Sequence, residues 1–153
     1  MVIVTVILAA IILAQLLQLP NFFTSPPVPS IFNITTIRHF NDNGVLTYDS
    51  RMVIKNTGKL SYPNRNLMAK IYKNGIPLSF IIATFNGHDY IAYAHTHGVD
   101  VIGGSGCSGN TWSVDEMTYI DFNDRTFYPG DNVQLEVFDN TTRQIISRNM
   151  YVA

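Results

Sequence analysis

Two histidines, His95 and His97, stand two residues apart in the strand-like sequence IAYAHTHGV. Side chains at positions i and i+2 of a β-strand project to the same face, so this spacing could present two imidazoles to one metal ion. A metal site needs further ligands, and His88 and Asp89 are the nearest candidates in the sequence. Two histidines alone favour a surface or edge-strand position over a metal centre.

The glycine-rich sequence GGSGCSGN, residues 103–110, invites comparison with phosphate-binding loops. It lacks the Gly-Lys-Ser/Thr ending of such loops and precedes an apparent strand instead of a helix. Cys107 is the single cysteine of the chain, which excludes an intrachain disulfide. No basic neighbour or helix N-terminus is evident that would activate its thiol. The sequence therefore predicts a flexible loop with a half-buried thiol.

Charged residues are segregated along the chain. Residues 51–73 hold six basic residues and no acidic one, whereas residues 115–139 hold seven acidic residues and Arg125. Such segregation could align opposite faces of adjacent copies, or it could form two solvated faces that never meet. Asp121 and Asp124 could hold Ca²⁺ or act as an acid–base pair, but turn capping is favoured because no third ligand or nucleophile lies close by. We expect no enzymatic activity, no cofactor and no resident metal.

Two N-x-Ser/Thr sequences could accept an N-linked glycan. Asn33 begins the first, beside the first expected strand, and Asn140 begins the second, in the last expected turn. The turn position predicts that Asn140 is the more accessible of the two. Chance occurrence in a chain rich in Asn and Thr is the alternative for each.

The charge balance excludes one large class of partner. Ten Lys and Arg residues against eleven Asp and Glu residues give a formal net charge of −1 at pH 7. Nucleic-acid binding requires a basic surface, so we expect no nucleic-acid partner. Charged residues make up only 14% of the chain, whereas it holds nine Phe and eight Tyr. This composition is typical of β-strands.

Short β-branched and aromatic runs, separated by turn residues, follow residue 30 at intervals of roughly ten residues, the pattern of a β-sandwich or barrel. Asn74 and Gly75 mark the clearest hairpin, because both tolerate positive φ. We predict eight strands, at residues 31–40, 46–56, 67–73, 78–85, 89–97, 116–122, 132–139 and 144–152.

The chain begins with an apolar run that carries no charge. After Met1, residues 2–19 are Val, Ile, Leu and Ala, interrupted only by Thr5, Gln15 and Gln18. As a helix, this run would span about 30 Å, which is the thickness of the hydrocarbon core of a bilayer. We therefore predict three segments: a hydrophobic helix at 1–19, a proline-rich spacer at 20–30 and a β-sandwich head at 31–153.

Three interpretations of the apolar run compete. A cleaved secretory signal would have a basic start and a small-x-small cleavage site, which residues 1–19 do not show. A single-pass membrane anchor fits the length and the hydrophobicity. A segment that is apolar on all sides can also be buried among the same segments of neighbouring copies. Repetition of such a contact without closure generates a filament.

Three stretches of the chain resemble one known family. VTVILAAIILAQ (residues 4–15), GVDVIGGSGC (98–107) and the tail from TWSVDEMTYIDF through YPGD to MYVA (111–153) are similar to archaeal type IV pilins, which are relatives of the archaellins. The resemblance implies a helix that is held in the membrane before assembly and packed in the filament core afterwards. It also implies an outer β-sandwich head and processing of a short basic leader by a prepilin peptidase.

The fold class expected from these observations is mainly β, with one long N-terminal helix followed by an immunoglobulin-like or jelly-roll-like antiparallel sandwich. The expected function is a pilin that polymerises into an extracellular filament for surface adhesion. Its partners would be other copies of itself, the membrane before assembly and the pilus assembly machinery. The alternative is a membrane-anchored head that binds a glycan or a metal. The residues expected in the filament core are Val2, Ile3, Val6, Ile7, Ala9, Ala10, Ile11, Leu13, Ala14 and Leu17.

Overall fold

A computed structural model describes residues 26–90 and 98–153. Within these ranges, strands dominate, accompanied by a 3-10 turn at Asn64–Asn66 and a four-residue helix α1 at Ser105–Ser108. The strands, numbered in chain order, are β1 (Phe32–Phe40), β2 (Leu46–Asn56), β3 (Tyr62–Pro63), β4 (Leu67–Lys73), β5 (Ile76–Ile82), β6 (Val99–Gly103), β7 (Thr111–Trp112), β8 (Met117–Phe122), β9 (Asn132–Asp139) and β10 (Ile145–Val152).

Two four-stranded antiparallel sheets form a sandwich. The first sheet has the strand order β1-β2-β8-β6, and the second has the order β10-β9-β4-β5. The two-residue strands β3 and β7 pair separately. Strands β1 and β10, which come first and last in the chain, therefore lie at sheet edges. The chain passes between the sheets several times: β1 and β2 lie in the first, β4 and β5 in the second, β6 and β8 in the first again, and β9 and β10 in the second.

The core forms because the strands alternate buried and outward residues, as half-buried strands must. Its members come from both sheets and are almost fully buried: Ile34, Met52, Ile54, Ala69, Ile71, Ile120, Leu135 and Val137. An aromatic cluster fills one end of the sandwich. Trp112 is fully buried there, and its ring centroid lies 4.7 Å from that of Phe32 and 5.2 Å from that of Phe85.

Most of the predicted strands are confirmed. Those at 46–56, 67–73 and 132–139 match residue for residue, and those beginning at 31, 116 and 144 begin one residue later. The hairpin between β4 and β5 turns at Asn74 and Gly75, whose φ angles are 52° and 80°. Both residue types tolerate positive φ, which explains why the sequence located this turn correctly.

The strands around the middle of the chain differ from the prediction. The strand expected at 78–85 lies at Ile76–Ile82 and includes Pro77, which an edge strand tolerates. Of the strand expected at 89–97, Asp89 lies in a turn and residues 91–97 lie outside the described residues. Strand β6 was not predicted, because the flanking glycines conceal a run of only five residues.

The predicted fold class is wrong in its helix. The described residues are mainly β, and α1 is a single turn. None of the helices in the described part of the chain has the length and hydropathy required to cross a bilayer. The predicted helix at 1–19 lies outside the described residues, together with all ten residues expected in a filament core. Hydropathy predicts burial instead of a specific conformation, and eight of the first twelve residues are β-branched, which lowers helix propensity.

Candidate functional site

The residues considered for a metal site are not brought together in the described part of the chain. His95 and His97 lie outside the described residues. His88 lies with Nε2 3.0 Å from the carbonyl oxygen of Ser108, and Asp89 forms an ion pair with Arg65. Residues 26–90 and 98–153 contain no group of three His, Cys, Asp or Glu side chains placed to hold a metal ion.

The glycine-rich loop is packed into the head, contrary to the prediction of a flexible loop. A Cβ on Gly106 would lie 2.4 Å from Nε1 of Trp112 and 2.6 Å from Oγ1 of Thr118, so the backbone touches both side chains directly. Cys107 is 2% exposed, and burial raises the pKa of its thiol. A thiol with a raised pKa is a poor nucleophile at neutral pH. The loop therefore acts as packing and offers no phosphate cradle.

The segregated charges meet across the strands of one head. Arg51 on β2 places Nη2 2.6 Å from Oδ2 of Asp121 on β8, and this carboxylate raises the pKa of the guanidinium. Lys55 pairs with Asp115 at 2.8 Å. Asp121 is a strand residue, so the turn-capping interpretation is wrong for it. Arg51 and Lys55 are thus neutralised within the head by acidic residues far along the sequence, so these charges give no support to contacts between copies.

A clamp joins the first strand of the head to the last. Oγ of Ser147 accepts hydrogen bonds from the backbone N–H groups of Ile31 and Phe32, both at 2.9 Å. Oδ1 of Asn149 accepts from the N–H of Ile34, also at 2.9 Å. These two side chains lie on the inward face of β10 and satisfy backbone donors at the edge of the other sheet. We call Ser147 and Asn149 the terminal clamp.

The residues before β1 are also hydrogen-bonded to β10. Nδ2 of Asn149 donates to Oγ of Ser30 at 3.0 Å, and the N–H of Arg148 donates to the carbonyl oxygen of Pro29 at 2.9 Å. The partners of Ser147 and Asn149 advance from residue 31 to residue 34, so β1 and β10 run in the same direction. The chain that enters from residues 1–28 is therefore fixed directly to the C-terminal strand.

The side-chain amide of Asn33, the first glycosylation candidate, is engaged in hydrogen bonds. Oδ1 of Asn33 accepts hydrogen bonds from Ser30 and from Asn149, the second at 3.2 Å. Its Nδ2, the atom that would carry a glycan, donates to Oγ1 of Thr57 at 3.0 Å. A glycan at Asn33 would break this set of hydrogen bonds.

Asn140 lies in the turn between β9 and β10. Its backbone N–H donates to the carbonyl oxygen of Asn66 at 2.6 Å, which fixes the backbone. The following residues, Thr141 and Thr142, are exposed. The turn therefore exposes the two threonines of the sequence Asn-Thr-Thr, and Asn140 itself is half-buried.

We predict a glycan on Asn140 and none on Asn33 when the chain is made by its native source. Peptide mass spectrometry should find the added mass on the peptide that contains Asn140, and Asn140→Gln should abolish it. Asn33→Gln should leave the mass increment in place. A glycan on the peptide that contains Asn33 would contradict the prediction, because the structure commits that amide to three other side chains.

One buried polar residue, His39, escaped the sequence analysis. It faces the interior from β1 and is 6% exposed, and neither ring nitrogen has a hydrogen-bond partner among the described residues. Burial lowers the pKa of the imidazole below its usual 6.5, and the carboxylates of Asp131 and Asp49 offset this only in part. The ring is therefore buried in its neutral form at pH 7.

We predict that His39 makes the fold sensitive to mild acid. The unfolded chain binds the proton at the ordinary pKa and the folded chain at a lower one, so stability is complete above pH 6.5 and decreases as the pH falls from there toward the folded pKa. His39→Phe should reduce this decrease. It should also raise the free energy of unfolding by about 1 kcal/mol at pH 7.5, because two unpartnered nitrogens are removed.

Guanidinium unfolding at pH 7.5 and at pH 5 measures both effects. His39→Gln is the matched control: it keeps a buried polar group but does not titrate, so it should reduce the acid sensitivity without the gain at pH 7.5. An unchanged difference between the two pH values in both variants would show that another group titrates. Asp131 and Asp139, whose pKa values are lowered from 3.8, act only at lower pH.

Comparisons with known proteins give distant similarity only. No protein-family model and no curated protein matches the chain. One similar solved structure is the archaellum periplasmic stator protein FlaG from Sulfolobus acidocaldarius, with 8% sequence identity and a TM-score of 0.44 over 80% of this chain and 97% of that one. Another is the archaellum periplasmic stator protein complex of FlaF and FlaG from the same organism, with 8% identity and a TM-score of 0.42 over 88% of this chain and 97% of that one. Neither a family model nor a curated protein tests the resemblance to pilins, which stays a prediction.

Proposed function

We propose that the chain is a load-bearing structural subunit of an extracellular, pilus-like filament of an archaeal cell. In this proposal, the sandwich is the outer head, and the charge-free segment 1–19 is the part through which copies associate. Attachment of the cell to surfaces is the role that such a filament would serve.

The observation that supports this proposal best is the terminal clamp. A pull on the N-terminal end of the head acts along β1, and β10 runs in the same direction beside it. The hydrogen bonds of Ser147 and Asn149 to three backbone N–H groups are therefore loaded together instead of one after another. This arrangement suits a head that transmits force from its N-terminal segment.

The apolar segment gives the second argument. Residues 1–19 carry no charge, so their burial against apolar side chains has no ionic desolvation cost. Burial of apolar surface drives association in proportion to the area removed from water. Each copy brings the same segment, so other copies are always available as partners.

The test is the form in which the full chain occurs at the cell surface. Surface fractions prepared without detergent should contain long thin filaments in electron micrographs, and mass spectrometry should identify this chain as their component. Ile7→Lys with Ile11→Lys should abolish the filaments, because charge is then introduced into the apolar contact. The control Thr5→Ser should leave them intact. Recovery of the wild-type chain only as dispersed single molecules would refute the proposal.

A further inference from the structure

The outward face of the second sheet carries a continuous set of side chains around Glu136. Strand register places them in two adjacent rows, because cross-strand partners share a face. We call this set the Glu136 face, and its rows are Ile81, Lys70, Glu136 and Arg148, followed by Pro77, Tyr72, Gln134 and Met150.

Glu136 is a carboxylate buried by its own neighbours on the outside of a sheet. Its side chain is 6% exposed. Its Oε1 accepts hydrogen bonds from Nε of Arg148 at 2.8 Å and from Nε2 of Gln134 at 3.0 Å, and its Oε2 accepts from the hydroxyl of Tyr72 at 3.1 Å. The charge is already desolvated and fully hydrogen-bonded within the head. A partner that covers this face therefore does not have to strip water from an unsatisfied carboxylate.

Around this satisfied centre, the face exposes apolar side chains. Ile81 is 50% exposed and Met150 is 60% exposed, and Val152, next to Met150 on the same side of β10, is 63% exposed. The same face also carries charge, on Lys70 and in the ion pair of Glu136 with Arg148. The exposed apolar side chains lie on the two edge strands of the sheet, β5 and β10, where a partner can contact them.

The position of the N-terminal segment indicates which partner this is. Twenty-eight residues precede Pro29, and its carbonyl oxygen accepts a hydrogen bond from Arg148 at the edge of the Glu136 face. Pro29 therefore lies beside this face, ten residues after the end of the charge-free segment 1–19 in the sequence. The prolines at 26, 27 and 29 stiffen the connection and oppose a turn back onto the same head. The matching segment of a neighbouring copy has no such restriction.

We infer that the Glu136 face of one copy binds the apolar segment 1–19 of a neighbouring copy. This inference rests on the proposed function and adds the surface and the partner. It assigns a role to the exposed residues Ile81, Met150 and Val152, which contribute nothing to the core.

Cross-linking between differently labelled copies identifies the partner directly. Full chains in which the photoreactive residue p-benzoylphenylalanine replaces Met150 are prepared with and without ¹⁵N, mixed, assembled and irradiated. The expected product joins the peptide of β10 to residues 1–19 and includes pairs of labelled with unlabelled copies. The matched control replaces Val101, which is 45% exposed on the edge strand of the first sheet, and should give no link to residues 1–19.

Other products would overturn the inference. Links only within one copy would show that each head covers its own segment. Links to the head of another copy would show a head–head contact, and links to lipid alone would show a membrane contact.

A pair of charge substitutions tests the same contact by its strength. Ile81→Lys with Met150→Lys should lower the assembled fraction of the full chain at least about tenfold, because two charges enter an apolar contact. Val101→Lys should not change it, and circular dichroism should show the same folded head in both variants. If wild-type filaments form and the double variant assembles equally well, this inference fails and the proposed function stands. If the wild-type chain forms no assembly, both fail.

Discussion

Replacement of Trp112 by alanine should lower the free energy of unfolding by about 3–5 kcal/mol. The indole is fully buried and packs against the rings of Phe32 and Phe85. Its Nε1 donates to the carbonyl oxygen of Glu116 at 2.9 Å, so truncation leaves a large cavity and removes one of the two hydrogen bonds that this carbonyl accepts, the other coming from the N–H of Asn56. The backbone of Gly106 lies directly against the indole, so the glycine-rich loop would have to rearrange in order to fill the cavity.

Chemical denaturation followed by far-UV circular dichroism measures this loss, because the chain has a single Trp and its fluorescence disappears in the variant. Trp112→Phe is the matched control. It keeps an aromatic ring in the cluster and loses mainly the hydrogen bond to Glu116, so a loss of about 1–2 kcal/mol is expected. Equal losses in the two variants would mean that ring packing is not what stabilises this end of the sandwich.

The sequence predicted the strands well where local chemistry decides the structure. The hairpin at Asn74 and Gly75 requires positive φ at both residues, and Asn followed by Gly is the residue pair that predicts such a turn. Strands β2, β4 and β9 alternate or bury apolar residues over seven residues or more, which is long enough for the period to be read. The five-residue strand β6 is too short for such a reading.

The sequence could not predict which strands pair. In the sequence, β2 and β8 belong to two separate charged regions, one basic and one acidic. The sheet order places these strands side by side and pairs Arg51 with Asp121. Sheet order depends on non-local contacts, and composition does not encode it. The same limit concealed His39, because a single histidine in a β-branched run gives no sign that its ring will be buried without a partner.

The sequence of β10 contains an indication of the terminal clamp. A strand that packs one face on a core should bury apolar residues at alternate positions, yet the inward positions of β10 include Ser147 and Asn149. Polar residues at inward positions of an edge strand are typical of side chains that satisfy backbone groups of another element. This pattern indicates which residues of β10 make such bonds. It does not indicate their partners, since the partners lie more than 100 positions earlier in the chain.

Removal of the terminal clamp by Ser147→Ala with Asn149→Ala should lower the free energy of unfolding by about 3–4 kcal/mol. The N–H groups of Ile31, Phe32 and Ile34 would lose their acceptors, and Phe32 is fully buried, so water cannot replace the lost hydrogen bond there. An unsatisfied buried donor costs more than the net value of the hydrogen bond that it loses. The loss should therefore be larger than for most pairs of polar substitutions in an exposed strand.

A matched control separates the clamp from the general effect of Ser→Ala and Asn→Ala substitutions. Ser79 and Asn43 are exposed, so Ser79→Ala with Asn43→Ala should change the stability by about 0.5 kcal/mol or less. Single-molecule pulling on residue 30 and on the C-terminus adds a mechanical measurement. The clamp variant should unfold at a clearly lower force than the control variant, because β1 can then slide along β10 before the sheets separate. Equal forces would refute the load-bearing role even if the equilibrium stability falls as expected, because the clamp would then stabilise the head without carrying tension.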